Sequence, residues 1–225
     1  MYTSILDRRV RAITEDKLLE EQGAFKRNRS CIDQMFTLRQ LGEKVMEKNI
    51  KMVMVCVDLE KAYDKVDRGL LWQVIDAYEV RGRLARAVKS LYVGCEACVR
   101  VLGENSEWFK VKQGVRQGCV MSPWLFNIFI DNTIWEARES FVGGVELREN
   151  TVQLLLFADD LLLVAEEEED AQTNLRVIKE VMQKWRLKIN QKRTNVMAVC
   201  RGGSTADMSV SKRFIQLLNI TCTNN

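Results

Sequence analysis

The sequence predicts an α+β fold, an antiparallel sheet covered by helices. Two apolar runs, "MVMVCV" at 52–57 and "LLLFADDLLLVA" at 154–165, read as buried strands. Around them, apolar residues recur at helical spacing, most regularly Ala171, Leu175, Ile178, Met182 and Trp185. The order of the elements lacks the strict strand–helix alternation of a parallel sheet, which leaves an antiparallel one.

Residues 4–21 form a basic helix with Ile5, Leu6, Val10, Ile13 and Leu18 as its stripe, followed by a loop, "EQGAFKRNRS". Ser30 and Asp33 have the spacing of a capping box and start a helix to about Asn49. The strand 51–59 ends on Asp58, and helical patterns cover 69–92 with a break near Gly82. Residues 95–102 and 108–113 read as a strand pair joined by "GENS". Ser122 suits an N-cap and Pro123 the first helical position of an apolar helix to about Ser140. "LLLFA" and "LLLVA" then make a hairpin with Asp159 and Asp160 as its two-residue loop. A helix over 168–187 and a strand "NVMAVC" follow, and residues 201–225 lose clear patterning.

A chain of 225 residues, 47% apolar and 29% charged, can bury a sizeable core, which argues against wholesale disorder. The net charge is only +3, from 34 basic and 31 acidic residues. The basic residues cluster, however, around Arg8 to Arg11, Lys26 to Arg29, Arg81 to Lys89 and Lys110 to Arg116. Such clusters could form one face for nucleic acid, although each taken alone reads as a solvated helix surface. Histidine is absent, which excludes Ser-His-Asp and Cys-His nucleophiles. The seven cysteines are scattered, and Cys95-x-x-Cys98 has no second pair, so neither zinc nor a disulfide-linked partner is expected. No signal peptide or membrane-length apolar run is present, so an intracellular setting, nucleus or cytoplasm, with no membrane partner is expected.

The chemistry is in the aspartates. Burying one ionised carboxylate is costly, and two adjacent ones repel each other. Asp159 and Asp160 read either as a plain turn or as a hard-oxygen cation site. Asp58 repeats the pattern at the end of another apolar strand, where a helix-cap role is the ordinary alternative. If the two strand ends lie side by side, Asp58 and Asp159 can bridge two Mg²⁺ ions, the arrangement used for in-line phosphoryl displacement.

"VDLEKAYDKV", "QGVRQGCVMSPWLFNIFI" and "LLLFADDLLLV", in this order and spacing, resemble the reverse transcriptase of non-LTR (LINE-type) retrotransposons. "EEQGAFKRNRSCIDQMFTLRQL" and "LKINQKRTNVM" resemble that family's flanking motifs, so the likeness runs from about residue 5 to 203. The resemblance implies a right-hand polymerase palm over 51–200, partial fingers over 1–50, a C-terminal tail over 201–225 and no thumb. It implies an RNA-directed DNA polymerase with two Mg²⁺ (or Mn²⁺) ions, acting on RNA template, DNA primer and dNTPs. Asp58 and Asp159 would bind metal, with Asp160 a lesser ligand or electrostatic helper. Tyr63 would be the ring that excludes a 2′-OH, and Gln117 and Gly118 the turn beside the incoming nucleotide. Lys26 and Arg29 would neutralise the triphosphate, and Lys192, or Arg193 beside it, would protonate pyrophosphate.

The chain departs from the family pattern in three places. Ala24 stands where the family has glycine and is expected to strain the backbone, and Lys26 replaces an arginine fork. The family's Asn-x-x-Lys-Thr appears as Asn190-Gln-Lys-Arg-Thr194, and the expected aromatic-Leu-Gly primer grip after Cys200 is missing. The alternative to an active polymerase is a catalytically impaired relic that retains RNA or protein binding.

Overall fold

The computed structural model describes residues 2–200. In chain order the elements are α1 (Tyr2–Thr14), α2 (Cys31–Lys48), β1 (Met52–Val57), α3 (Ala62–Lys65), α4 (Arg68–Ala77) and α5 (Gly82–Ser90). Four two-residue strands follow: β2 (Glu96–Ala97), β3 (Arg100–Val101), β4 (Glu104–Asn105) and β5 (Phe109–Lys110). The rest are α6 (Ser122–Arg138), β6 (Val145–Leu147), β7 (Asn150–Val152), β8 (Leu154–Phe157), β9 (Asp160–Ala165), α7 (Glu168–Lys184) and β10 (Asn195–Val199). The fold class is the expected α+β. The chain forms two compact units, each drawn from separate stretches, whereas the motif-based division at residues 50 and 200 follows chain order. The expected tail, 201–225, lies outside the described residues.

One unit comprises Leu19–Ala62 and the chain from Ile130 onward. Its centre is an antiparallel sheet in the order β10-β1-β9-β8. Side chains alternate across a strand, and here both faces are covered. Met52, Met54 and Val164 pack with Leu41 and Val45 of α2 and with Val145. Val53, Val55 and Val57 point to the opposite face and are also buried, with α7 packed across β1 and β9. Two-sided burial explains why these strands are continuous apolar runs rather than alternating ones. The capping box is formed, with the Asp33 carboxylate accepting the Ser30 N–H at 2.6 Å.

The other unit comprises Met1–Leu18 and Tyr63–Phe129. Here α1 packs on α5, and α4 on α5. Trp124 is fully buried: its indole N–H donates to Thr14 Oγ1 at 2.9 Å, and the Arg11 guanidinium lies 4.1 Å over the ring. The helix expected over 4–21 stops at Thr14, followed by one short turn over Glu15–Lys17. Thr14 is engaged on both sides, donating to the Val10 carbonyl and accepting from Trp124, and Leu18 is extended.

Three other boundaries moved. The 69–92 pattern breaks over 78–81, earlier than Gly82, which instead opens α5. In the 95–112 ribbon the turn is Leu102–Gly103 rather than "GENS"; both residues have positive φ, as a tight two-residue turn demands. In the β8–β9 hairpin the loop is Ala158–Asp159, because Phe157 and Asp160 form its closing pair. Asp160 therefore begins a strand. The β6–β7 hairpin had no sequence expectation.

Candidate active site

The register of the sheet brings the carboxylates together. Val57 of β1 pairs with Leu161 of β9, so the next position along β1, Asp58, faces Asp160. Asp159 is one residue further, at the hairpin tip. Ionised Asp159 is disfavoured: partial burial pushes its carboxyl above the usual carboxylate range, and the charges of Asp160 and Asp58 push the same way, against its own backbone N–H. Asp58 and the adjacent pair Asp159 and Asp160, distant in sequence, thus form one electrostatic cluster.

Two straps hold it. Behind Asp58, the Asn190 N–H donates to the Asp58 carbonyl at 2.8 Å, and the Asp58 N–H donates to Thr194 Oγ1 at 3.4 Å. Thr194 is itself fixed to the Asn190 carbonyl by its hydroxyl at 2.9 Å. Behind the hairpin tip lies Gln22, which is fully buried. Its Oε1 accepts the Ala158 N–H at 2.9 Å, and its Nε2 donates to the Ala158 carbonyl at 3.4 Å. Around it the Gly23 N–H donates to the Leu156 carbonyl at 2.9 Å, and the Leu156 N–H to that of Glu21 at 3.1 Å. The tip needs such support because Ala158 is held at φ 58°, a strained position for a residue with a Cβ.

A cavity of about 380 Å³ opens beside the cluster, walled by Met35 and Leu38 of α2 and by Cys56 and Leu162 of the sheet. Asp58, Asp160 and Arg193 also line it. Cys56 is held as a neutral thiol, since burial and the Asp160 charge both raise its pKa. Lys192 is exposed and absent from the wall, so Arg193 is the cation the fold sets beside the aspartates. Lys26 donates to the Leu19 carbonyl at 3.1 Å, and Arg29 pairs with Glu20 on the wall of a different cavity. Neither borders the aspartate cavity. Ala24 is buried without a positive φ; the left-handed residue is Phe25, at 57°, so the strain expected at position 24 falls on its neighbour.

The remaining sequence-derived candidates, Tyr63, Gln117 and Gly118, lie in the other unit. Tyr63 stacks on Phe126, centroids 4.3 Å apart, and its carbonyl accepts the Val115 N–H at 2.9 Å. Gln117 Nε2 donates to Asp64 Oδ1 at 2.9 Å, and Gly118 takes φ 76° with open space where a Cβ would go. Gly114, which the motif reading passed over, is the tighter requirement. A Cβ there would lie 2.7 Å from the Asp64 carbonyl oxygen, and φ is 80°.

A divalent cation suits the cluster on its chemistry. None of the three carboxylates forms an ion pair with a lysine or arginine among the described residues. No group of three or more acidic, cysteine or histidine side chains among those residues is arranged to hold a metal ion by itself. Mg²⁺ does not need one, because it is commonly held by one or two carboxylates, water and substrate phosphates.

Comparisons with known proteins bear on this arrangement. The sequence profile described as "Reverse transcriptase (RNA-dependent DNA polymerase)" matches residues 1–218. The chain is 26% identical over 161 residues to the transposon TX1 uncharacterized 149 kDa protein of Xenopus laevis, covering 71% of this chain and 12% of that one. It is 26% identical over 175 residues to the Pol polyprotein of the R2 retrotransposable element of Nasonia vitripennis, covering 76% and 17%. A third relative is the RNA-directed DNA polymerase from mobile element jockey of Drosophila melanogaster, 24% identical over 203 residues, covering 87% and 21%. These relatives are non-LTR retrotransposon proteins, and the chain spans less than a quarter of the length of each. Among solved structures, telomerase from Candida albicans with a telomeric RNA fragment superimposes with a TM-score of 0.68 at 13% identity, over 86% of this chain and 34% of that one. Apo telomerase from Candida tropicalis truncated from its C-terminal domain gives 0.65 at 19% identity, over 90% and 42%. The α+β fold is accordingly of the polymerase type, and the chain belongs to the reverse transcriptase family.

Proposed function

We propose that this chain is an RNA-directed DNA polymerase domain that adds dNTPs to a primer 3′-OH on an RNA template. The observation that carries the reading is the carboxylate cluster: Asp58, Asp159 and Asp160 lie at adjoining strand ends, and the charges of the other two help to destabilise Asp159 as an anion. Asp58 and Asp159, with Asp160 beside them, are the residues that would hold two Mg²⁺ or Mn²⁺ ions. Bound there, the ions would supply charge neutralisation for phosphoryl displacement.

The protein's own share is positioning. Gln22 and Thr194 fix the backbones that carry Asp159 and Asp58, which supports a preorganised site. Tyr63, made rigid by its stack on Phe126, is the ring proposed to exclude a 2′-OH. Gln117 and Gly118 are assigned to the incoming nucleotide, where an unobstructed glycine permits close backbone approach. Arg193 is the better-placed cation beside the aspartates, and Lys192, the residue before it, is exposed and does not line that cavity. Lys26 and Arg29 would have to give up their present partners to reach a triphosphate.

Primer extension on an RNA template with Mg²⁺ or Mn²⁺ tests the proposal. Extension by the folded chain, lost on Asp159→Asn, supports it. No extension, or extension indifferent to that substitution, overturns it. Salt-sensitive RNA binding without synthesis is the result expected of the relic.

A further inference from the structure

The surface that points furthest beyond the carboxylate site is the α1–α5 pair. On α5 every charged residue is basic, and Arg83, Arg86 and Lys89 are all exposed at positions i, i+3 and i+6. That spacing aligns them in one stripe about 9 Å long. On α1, which packs against α5, the exposed charged residues are Arg8 and Arg9, while its one acid, Asp7, is buried and paired with Arg11. None of these five exposed cations has an acidic partner among the described residues.

The stripe opposes its own helix. Neighbouring cations three apart repel. Arg83 also sits in the first turn of α5, which contains no acid, where the helix dipole disfavours positive charge. A solvated face carries no such penalty when its charges alternate, as Arg39 and Glu43 do on α2. Five unpaired like charges on two packed helices, in a chain with a net charge of only +3, form a surface complementary to a polyanion. A cluster of cations with no acidic partner suits a phosphodiester backbone read without regard to sequence.

We infer that the α1–α5 face, through Arg83, Arg86 and Lys89 with Arg8 and Arg9, is a nucleic-acid backbone-binding surface. This rests on the polymerase reading only for the expectation that the nucleic acid is the template RNA.

The test is fluorescence anisotropy of a labelled single-stranded RNA, and of the same sequence as DNA, over a salt series. The full chain is compared with the triple variant Arg83→Ala, Arg86→Ala, Lys89→Ala, whose exposed positions spare the core; matched far-UV circular dichroism confirms folding. The inference expects the variant to bind more weakly and to lose about 2 from the slope of log affinity against log salt, since each phosphate contact on a single strand contributes about 0.7. An equal loss for RNA and DNA marks backbone recognition, and a loss for RNA alone marks the template. An unchanged affinity and slope overturns the inference, and so does binding to phosphatidylserine vesicles without binding to either nucleic acid. Primer extension is measured in parallel. A chain that binds through this face but extends nothing overturns the polymerase reading and leaves the inference standing.

Discussion

Gln22 grips both backbone groups of Ala158, accepting its N–H and donating to its carbonyl, across 136 residues of chain. The next residue is Asp159. An uncharged, fully buried amide therefore sets where a half-buried carboxylate points. Replacing it with an isosteric apolar side chain, Gln22→Met, leaves a buried N–H and carbonyl unpaired, at a cost of about 1–3 kcal/mol each when unsatisfied. The chain is expected to fold with a lowered Tm. Because a misplacement on the order of 1 Å costs on the order of 100-fold in rate, kcat for primer extension should fall about 10- to 100-fold while the dNTP KM changes little. A KM effect larger than the kcat effect would show that Gln22 does not act through Asp159.

Asp159 carries a pH signature of known sign. Its folded-state pKa is raised, so the folded chain holds that proton more tightly than the unfolded one, and the stability gained in this way is lost as pH rises through the raised value. At neutral pH the ionised group is a net cost. Asp159→Asn without divalent ions should raise Tm at pH 7 by about 1–2 °C, since a partly exposed charge contributes under about 1 kcal/mol and ~1 kcal/mol moves Tm by 2–4 °C in a chain of this size. The gain should shrink towards acid pH. Thermal unfolding followed by circular dichroism over a pH series checks it, and a lower Tm for the variant at pH 7 would contradict the sign.

Divalent ions should reverse that order. A ligand that binds only the folded state at about ten times its Kd adds about 1.4 kcal/mol. Mn²⁺ or Mg²⁺ should therefore raise the wild-type Tm by about 3–6 °C, and raise that of Asp58→Asn or Asp159→Asn by much less. The readout needs no catalysis. Equal shifts in all three proteins would place the bound ions elsewhere.

Gly114 and Gly118 both take positive φ, yet they should respond differently to alanine. A Cβ on Gly118 meets nothing within 4 Å, so Gly118→Ala costs the left-handed penalty alone, about 1 kcal/mol. At Gly114 the methyl would also collide with the Asp64 backbone at 2.7 Å, so Gly114→Ala should cost upward of about 2 kcal/mol and disturb the segment holding Tyr63. Urea denaturation of the two variants measures the difference.

Legibility in the sequence tracked how local each cause was. The apolar runs of β1 and β9, the capping box at Ser30 and the helical stripe of α7 depend on neighbours within a few residues, and the structure contains each close to where it was read. The helix at 4–21 ended early because Thr14 bonds to Trp124, a residue 110 positions away. The aspartate hairpin shifted its loop by one residue because closure by Phe157 and Asp160 decided the register. Gln22 lies in the family-like stretch after α1 but gave no sign that it would be buried against Ala158, and Thr194 gave none that it would hold Asp58.

The sequence by itself determined the central strands, the long helices and which side chains could do phosphoryl chemistry, since propensity and side-chain type are properties of short segments. It did not determine the β6–β7 hairpin or several boundaries. The tertiary structure decided which of those side chains meet. Pairing of β1 with β9 set Asp58 across from Asp160, while Lys26 and Arg29 were drawn to partners away from the aspartate cavity. The reason is that strand register and buried hydrogen-bond partners are settled by packing between segments on the order of a hundred residues apart, where the sequence carries no local signal.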